Sequence, residues 1–279
     1  MDPLAGRLVV TTANRTSVTP NQITWGAFLL GLGSAWCFLR AEWPWLVAGA
    51  AVYHVSFVLD CMDGKIARLK GTGTVLGGWL DYVFDRIRVL ACTAALMWGQ
   101  YHATGQTVYL LLGIAVVFLD MLRYVDALQI AKVRRQMRRT LRHAYEQSMS
   151  GGSAALPASL LGEDLETDPD EIRVRLTEAV DLQKEFRSRF SWYPGMREWL
   201  REHRIRTHLV SGIEFQMAVF IVGPLLDAVI PVTIGAAALL LLFEALIMYK
   251  LLLSSRDLNR ALAAIHTSTE PSASGTPAG

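Results

Sequence analysis

Apolar and polar positions are segregated along this chain into long blocks. Between Asn21 and Leu122 the charged residues are Arg40, Glu42, Asp60, Asp63, Lys65, Arg68, Lys70, Asp81, Asp85, Arg86, Arg88 and Asp120. The apolar runs between them approach the ~20 residues a helix needs to cross a bilayer. Lipid offers no partner to an open backbone group, so such runs are expected to be helices. The pattern predicts six membrane helices at about 21–39, 43–69, 77–100, 107–129, 208–230 and 232–254. Thr19-Pro20-Asn21-Gln22 marks the first start: Thr19 caps, Pro20 suits the first helical position, and Gln22 completes a capping box.

The flanking segments read differently. Residues 3–15 predict a short helix on the membrane surface, so 1–20 forms a juxtamembrane segment before the membrane block 21–130. The stretch 131–206 carries 15 of the 27 Lys and Arg residues and 12 of the 25 acids, which sets it outside the bilayer as a helical cytoplasmic insert. Its first part, Lys132 to Arg142, is basic and continues the fourth helix. Gly151 to Pro169 is a small-residue and acidic linker. Asp168-Pro169-Asp170-Glu171 then starts an amphipathic helix along Ile172, Leu176, Ala179, Val180 and Phe186. The last two spans occupy 207–256, and the Ser-, Thr-, Pro- and Ala-rich end, 257–279, reads as a flexible tail. The fold class is therefore an all-α polytopic membrane protein.

Basic residues in the short connections orient it. Arg7, Arg15, Lys65, Arg68, Lys70, Lys132, Arg134, Arg135, Arg256 and Arg260 fall on one side when both termini are cytoplasmic, and the opposite loops are almost free of them. The basic run 132–142 reads as an anchor for anionic membrane lipids. A formal net charge of +2 gives no case for nucleic acid. Cys37, Cys61 and Cys92 are scattered in apolar segments, which indicates packing and neither disulfides nor zinc. The polar N-terminus reads without a cleavable signal.

The stretch from Asp60 to Asp85 carries the chemistry. It reads Asp60-Cys-Met-Asp63-Gly64-Lys-Ile-Ala67-Arg68, then eight residues, then Gly77-Gly-Trp-Leu-Asp81-Tyr-Val-Phe-Asp85. At the helical period, Asp60, Asp63, Gly64, Ala67 and Arg68 share an arc of about 140°, and Gly77, Asp81, Asp85 and Arg88 share a narrower one. A tight connection through Gly71, Thr72 and Gly73 lets the helices run antiparallel, with both aspartate pairs aimed into one volume. Clustered carboxylates repel, and near lipid the cost is several kcal/mol. One or two hard divalent cations, which favour carboxylate oxygens, would hold them ionised and could bridge a pyrophosphate. Gly64, Ala67 and Gly77 clear space for a base or phosphate.

This spacing resembles the signature of the CDP-alcohol phosphotransferase family, D-x2-D-G-x2-A-R-x8-G-x3-D-x3-D, with a match at every specified position. The resemblance implies attack on the β-phosphate of a CDP-linked alcohol by a second alcohol, with CMP leaving. Carried over by position, Asp60, Asp63, Asp81 and Asp85 are implied ligands of two Mg²⁺ or Mn²⁺ ions. Asp85 is also the implied catalytic general base. Gly64, Ala67 and Gly77 would make room for the cytidine end, and Arg68 would contact donor phosphate. The donor would be CDP-diacylglycerol or another CDP-alcohol, and the acceptor a polar alcohol such as inositol phosphate or glycerol phosphate. A homodimer is implied by the resemblance alone.

Candidate acceptor contacts are Arg86, Arg88, Arg123, Arg134, Arg135 and Glu214. Arg86 and Arg88 read equally as counter-charge for the aspartates. Asp120, Arg123 and Asp126 offer pairing along the fourth helix, while Glu214 and Glu244 are acids at membrane depth, a position that often marks function. The rival class is a divalent-ion transporter, but its acids belong near the bilayer midplane on broken helices. Here they lie at predicted helix ends.

Overall fold

The structure is a computed structural model that describes residues 19–150, 189, 195, 198, 199 and 212–269. The predicted surface helix at 3–15 and the insert helix from Glu171 lie outside the described residues. The stretches 19–150 and 212–269 form six helices: α1 (Pro20–Leu39), α2 (Trp43–Lys70), α3 (Val75–Thr104), α4 (Val108–Ser150), α5 (Gly212–Leu225) and α6 (Val229–Thr269). No strand occurs among the described residues. By length and composition, α1, α2, and the apolar stretches Val108–Ala144 and Val229–Ala263 are suited to crossing a membrane, while α5 is a shorter apolar helix. The protein is thus an integral membrane protein built of helices.

The first helix begins as the sequence indicates. The Thr19 hydroxyl accepts from the Gln22 N–H, the Gln22 side chain accepts from the Thr19 N–H at 3.0 Å, and Pro20 fills the first turn. The link from α2 to α3 is four residues long. Gly71 ends α2 at φ 64, a left-handed conformation in which a side chain would be strained. Thr74 then caps α3 by accepting from the Gly77 N–H at 2.9 Å. After this turn Arg88 of α3 meets Asp60 of α2.

The chain divides into two compact units, 1–124 with 210–242 and 125–209 with 243–279. In the first unit α1 packs against α2 and α3. The Ser34 hydroxyl donates to the Gly49 carbonyl at 2.8 Å, and the Ser56 hydroxyl to the Ala27 carbonyl at 2.6 Å. Such small hydroxyl residues let membrane helices approach closely. Phe38, Leu46, Tyr53, Leu96, Val116, Phe215, Phe220 and Leu240 fill the core. Leu111, Ile114 and Phe118 on α4 and Leu239 and Leu242 on α6 are exposed instead, as expected of faces turned to lipid.

In the second unit Met137 and Leu141 of α4 form an apolar cluster with Leu258 and Ile265 of α6. The helix therefore runs on to Thr269, well past residue 257, where the sequence reading began a flexible tail. The fourth helix likewise runs unbroken from the apolar segment through the basic stretch to Ser150.

Candidate active site

The four motif aspartates all lie in the first unit, on the last turns of α2 and the first turns of α3. One side chain joins the two helices. Arg88, only 2% exposed, reaches back from α3 to Asp60 of α2, with Nη1 and Nη2 each 3.3 Å from a separate carboxylate oxygen. Its Nη2 also donates to Asp85 Oδ1 at 2.5 Å, and its Nη1 to the Ser56 hydroxyl at 3.3 Å. The Arg88 guanidinium lies 5.9 Å from the centre of the buried Tyr53 ring. A planar fork can serve two carboxylates and a hydroxyl at once; an ammonium has no such geometry.

Space for that arginine comes from α1. A Cβ on Gly31 would stand 2.5 Å from Arg88 Cδ and 2.6 Å from Cγ, so only glycine lets the arginine stem pass. The same helix also contributes Thr24, whose hydroxyl donates to Asp63 Oδ2 at 2.5 Å. Asp63 is 5% exposed. Thus α1, outside the motif, shapes one motif position, Asp63, and the arginine that follows the motif, Arg88.

A second arginine extends the site. Arg86 donates to Asp85 Oδ2 through Nη2 and to Asp120 Oδ2 of α4 through Nη1. Its guanidinium lies 5.1 Å from the centre of the Tyr124 ring, which stacks on Tyr82 at 4.5 Å. Asp120 Oδ1 accepts from Gln216 Nε2 of α5 at 2.8 Å, and Gln216 Oε1 accepts from the Tyr53 hydroxyl at 3.1 Å. The pairing of Asp120 therefore runs across helices to Arg86 and Gln216, where the sequence reading looked along α4 to Arg123.

The remaining candidates separate. Arg68 is exposed, its Nε donating to the Gly64 carbonyl at 3.2 Å, and a Cβ on Gly64 would have only Arg68 Nη2 near it, at 3.9 Å. Gly64 thus has open space at its Cβ position. Gly77 is tighter, since a Cβ there would meet Thr74 Oγ1 at 2.9 Å and Asn21 Oδ1 at 3.4 Å. Its lack of a side chain serves the helix cap as well as any ligand. Arg123 is half-buried and Glu214 exposed in the first unit, whereas Arg134 and Arg135 are exposed on α4 in the second. Arg86 and Arg88 are occupied by carboxylates, which is the counter-charge side of their two readings.

Tyr53, Gln216, Gly31, Ser56 and Thr24 escaped the sequence reading. Apart from Gln216, a polar residue in an apolar run, they left no signal in it.

Among the described residues no three His, Cys, Asp or Glu side chains are gathered into a ready cage for a metal. Asp60 and Asp85 are drawn onto Arg88, and Asp63 onto Thr24. The donor set still suits a hard cation. All four candidates are carboxylates, and Asp81 Oδ1 is buried with no hydrogen-bond partner, a costly arrangement unless a cation meets it.

Fold and site together define a helical membrane protein with an arginine-braced aspartate cluster at a helix–turn–helix end. A sequence model of the CDP-alcohol phosphatidyltransferase family matches residues 17–157, and the chain belongs to that family. Similar proteins include a bifunctional IPC transferase and DIPP synthase of Thermococcus kodakarensis, 41% identical over 69 residues, which cover 25% of this chain and 15% of that protein. A phosphatidylinositol phosphate synthase of Mycobacterium tuberculosis is 29% identical over 116 residues, 40% of this chain and 52% of its own. An archaetidylinositol phosphate synthase of Methanothermobacter thermautotrophicus is 29% identical over 85 residues, 30% of this chain and 42% of its own. The chain therefore spans from about a seventh to about half of the length of these relatives.

Proposed function

We propose that this protein transfers a phosphoryl-alcohol group, most simply phosphatidyl, from a CDP-alcohol to the hydroxyl of a second alcohol and releases CMP. The observation that carries the reading is the Arg88 bridge between Asp60 and Asp85, which couples one aspartate of each motif pair, with Asp63 and Asp81 one turn from each. Asp60, Asp63, Asp81 and Asp85 would hold one or two Mg²⁺ or Mn²⁺ ions. Asp60, Asp63, Asp81, Asp85 and Asp120 outnumber Arg86 and Arg88, the two arginines bonded to Asp60, Asp85 and Asp120. That imbalance is one divalent cations would answer. Bound there, the ions would neutralise the donor pyrophosphate and the charge that develops on departing CMP.

The chain's own side chains supply positioning and proton transfer. Arg68, exposed beside Gly64, would contact donor phosphate, and Gly64 and Ala67 would make room for cytidine. The acceptor oxygen forms a bond to the β-phosphorus, the bond from that phosphorus to the CMP oxygen breaks, and a carboxylate oxygen of Asp85 takes the hydroxyl proton. Arg86 and Arg88 grip Asp85 from two sides and fix the direction of its carboxylate. The aspartates and both termini are assigned to the cytoplasmic face and six helices to the membrane, with a homodimer as the assembly.

For the acceptor, an inositol phosphate fits best. Two relatives carry names built on inositol phosphate, and Arg123 lies on α4 three residues beyond Asp120. Arg134 and Arg135 enter this reading from sequence alone. The test is purified protein with CDP-diacylglycerol, Mg²⁺ or Mn²⁺, and a panel of acceptors scored by CMP. Inositol phosphate is expected to give the highest kcat/KM. Acceptance of uncharged alcohols only would overturn the acceptor assignment.

A further inference from the structure

Behind the aspartates lies a closed set of buried polar side chains that the proposed chemistry leaves unexplained. Tyr53 is 0%, Asp120 3% and Gln216 6% exposed, and they come from α2, α4 and α5. Burying three polar groups in an apolar core is costly unless each is bonded, and here each is. The Tyr53 hydroxyl donates to Gln216 Oε1, Gln216 Nε2 donates to Asp120 Oδ1, Asp120 Oδ2 accepts from Arg86, and Arg86 donates onward to Asp85. Tyr53 also lies under Arg88, the other arginine on Asp85. The amide of Gln216 has one orientation that works, because a tyrosine hydroxyl must give its proton to the oxygen and a carboxylate must receive from the NH₂. A single turn of wide, π-helical backbone, Ala218–Val222, begins two residues beyond Gln216. Such turns are frequent at functional sites.

We infer that Gln216 is a positioning residue for the phosphoryl-transfer step, acting with Tyr53 and Asp120 to hold Arg86 and so fix the direction of the Asp85 carboxylate. The inference rests on the assignment of Asp85 as the base. Without Gln216, Asp120 loses a donor and is free to turn, Arg86 follows it, and Asp85 loses one of the two arginines that aim it. Because the chain acts on Asp85, the proposed base, and bonds to neither Gly64 nor Arg68, its loss weighs more on turnover than on donor binding.

The test compares wild type, Gln216→Leu, Tyr53→Phe, Asp120→Asn and the double variant Gln216→Leu/Asp120→Asn, all full length in detergent or nanodiscs. Melting temperature, CDP affinity in the presence of Mn²⁺, and kcat and KM with CDP-diacylglycerol and inositol phosphate are measured on each. Gln216→Leu is expected to lower kcat about 10–100-fold, the scale of a small misplacement in an active site, with CDP affinity and donor KM within about two-fold of wild type. Tyr53→Phe, which keeps the ring, should lower kcat about two- to five-fold in the same pattern. The double variant should be no slower than its slower single parent, as for residues that act as one unit. A folded Gln216→Leu or Tyr53→Phe with wild-type kcat, a loss confined to donor KM, or additive losses would each overturn the inference. Should Gln216→Leu fail to fold, Tyr53→Phe and Asp120→Asn decide it by the same split. Wild type that binds no CDP and releases no CMP would instead overturn the functional reading beneath it.

Discussion

Replacing Arg88 by methionine tests how the aspartates are held together. The substitution keeps the length of the stem that lies over Gly31 and removes the guanidinium. The loss comprises two contacts to Asp60, one to Asp85 and one to the Ser56 hydroxyl, made by a group 2% exposed. Removing one partner of a buried ion pair costs about 3–5 kcal/mol, because the remaining charge is stranded. Asp60 and Asp85 are 20% and 21% exposed, so water reaches them in part and the lower half of that range applies. For a chain of this size, each kcal/mol lowers Tm by about 2–4 °C, so a fall of about 6–16 °C is expected. The assay is thermal unfolding of both proteins in detergent, without and with millimolar Mn²⁺. Since the variant leaves one more uncompensated carboxylate, Mn²⁺ should raise its Tm by more than it raises that of wild type. A variant that melts within about 2 °C of wild type would refute the argument that Arg88 neutralises the pair.

Three further outcomes follow from the same geometry. Gly31→Ala places a Cβ on the Arg88 stem and should cost about 1–3 kcal/mol of stability together with most of the turnover, as overpacking does; wild-type kcat in this variant would show that Arg88 can be displaced without consequence. Asp85→Asn should abolish CMP release by at least about 100-fold while leaving CDP affinity within a few-fold, because the base acts on the acceptor; equal losses in both would make Asp85 a ligand of the donor site alone. Gly64→Leu should block CDP binding at unchanged Tm, whereas Gly77→Leu should also lower Tm by crowding Thr74 at the α3 cap, and unfolding curves read beside CDP titrations separate the two.

What could be read from the sequence was local. The Thr19–Gln22 capping box depends on residues a few positions apart and forms as its pattern predicts, and the motif stretch falls on two successive helices. Beyond the counter-charge reading of Arg86 and Arg88, the bracing of the site was not legible, because its partners are distant in the chain. Thr24 and Asp63 are 39 residues apart, Arg86 and Asp120 34, Gln216 and Asp120 96, and Tyr53 and Gln216 163. Nothing in an apolar run marks which glycine an arginine stem crosses, so Gly31 was invisible. The end of α6 was a different kind of miss. Leu258, Ala261, Leu262 and Ile265 carry helical spacing, but the small and polar residues beyond His266 outweighed it. Packing against Met137 and Leu141 decides the matter in favour of helix.

The central claim is that the aspartate cluster holds divalent cations for release of CMP. It is tested most directly by following CMP from CDP-diacylglycerol and inositol phosphate in wild type and Asp81→Asn, with Mn²⁺ titrated against excess chelator. The account predicts turnover that vanishes with chelator and returns with Mn²⁺ in wild type. It also predicts at least about a 100-fold deficit in Asp81→Asn at every Mn²⁺ concentration, since the amide cannot supply the charge that the buried Oδ1 of Asp81 presents. Full CMP release in excess chelator, or a fully active Asp81→Asn, would contradict it.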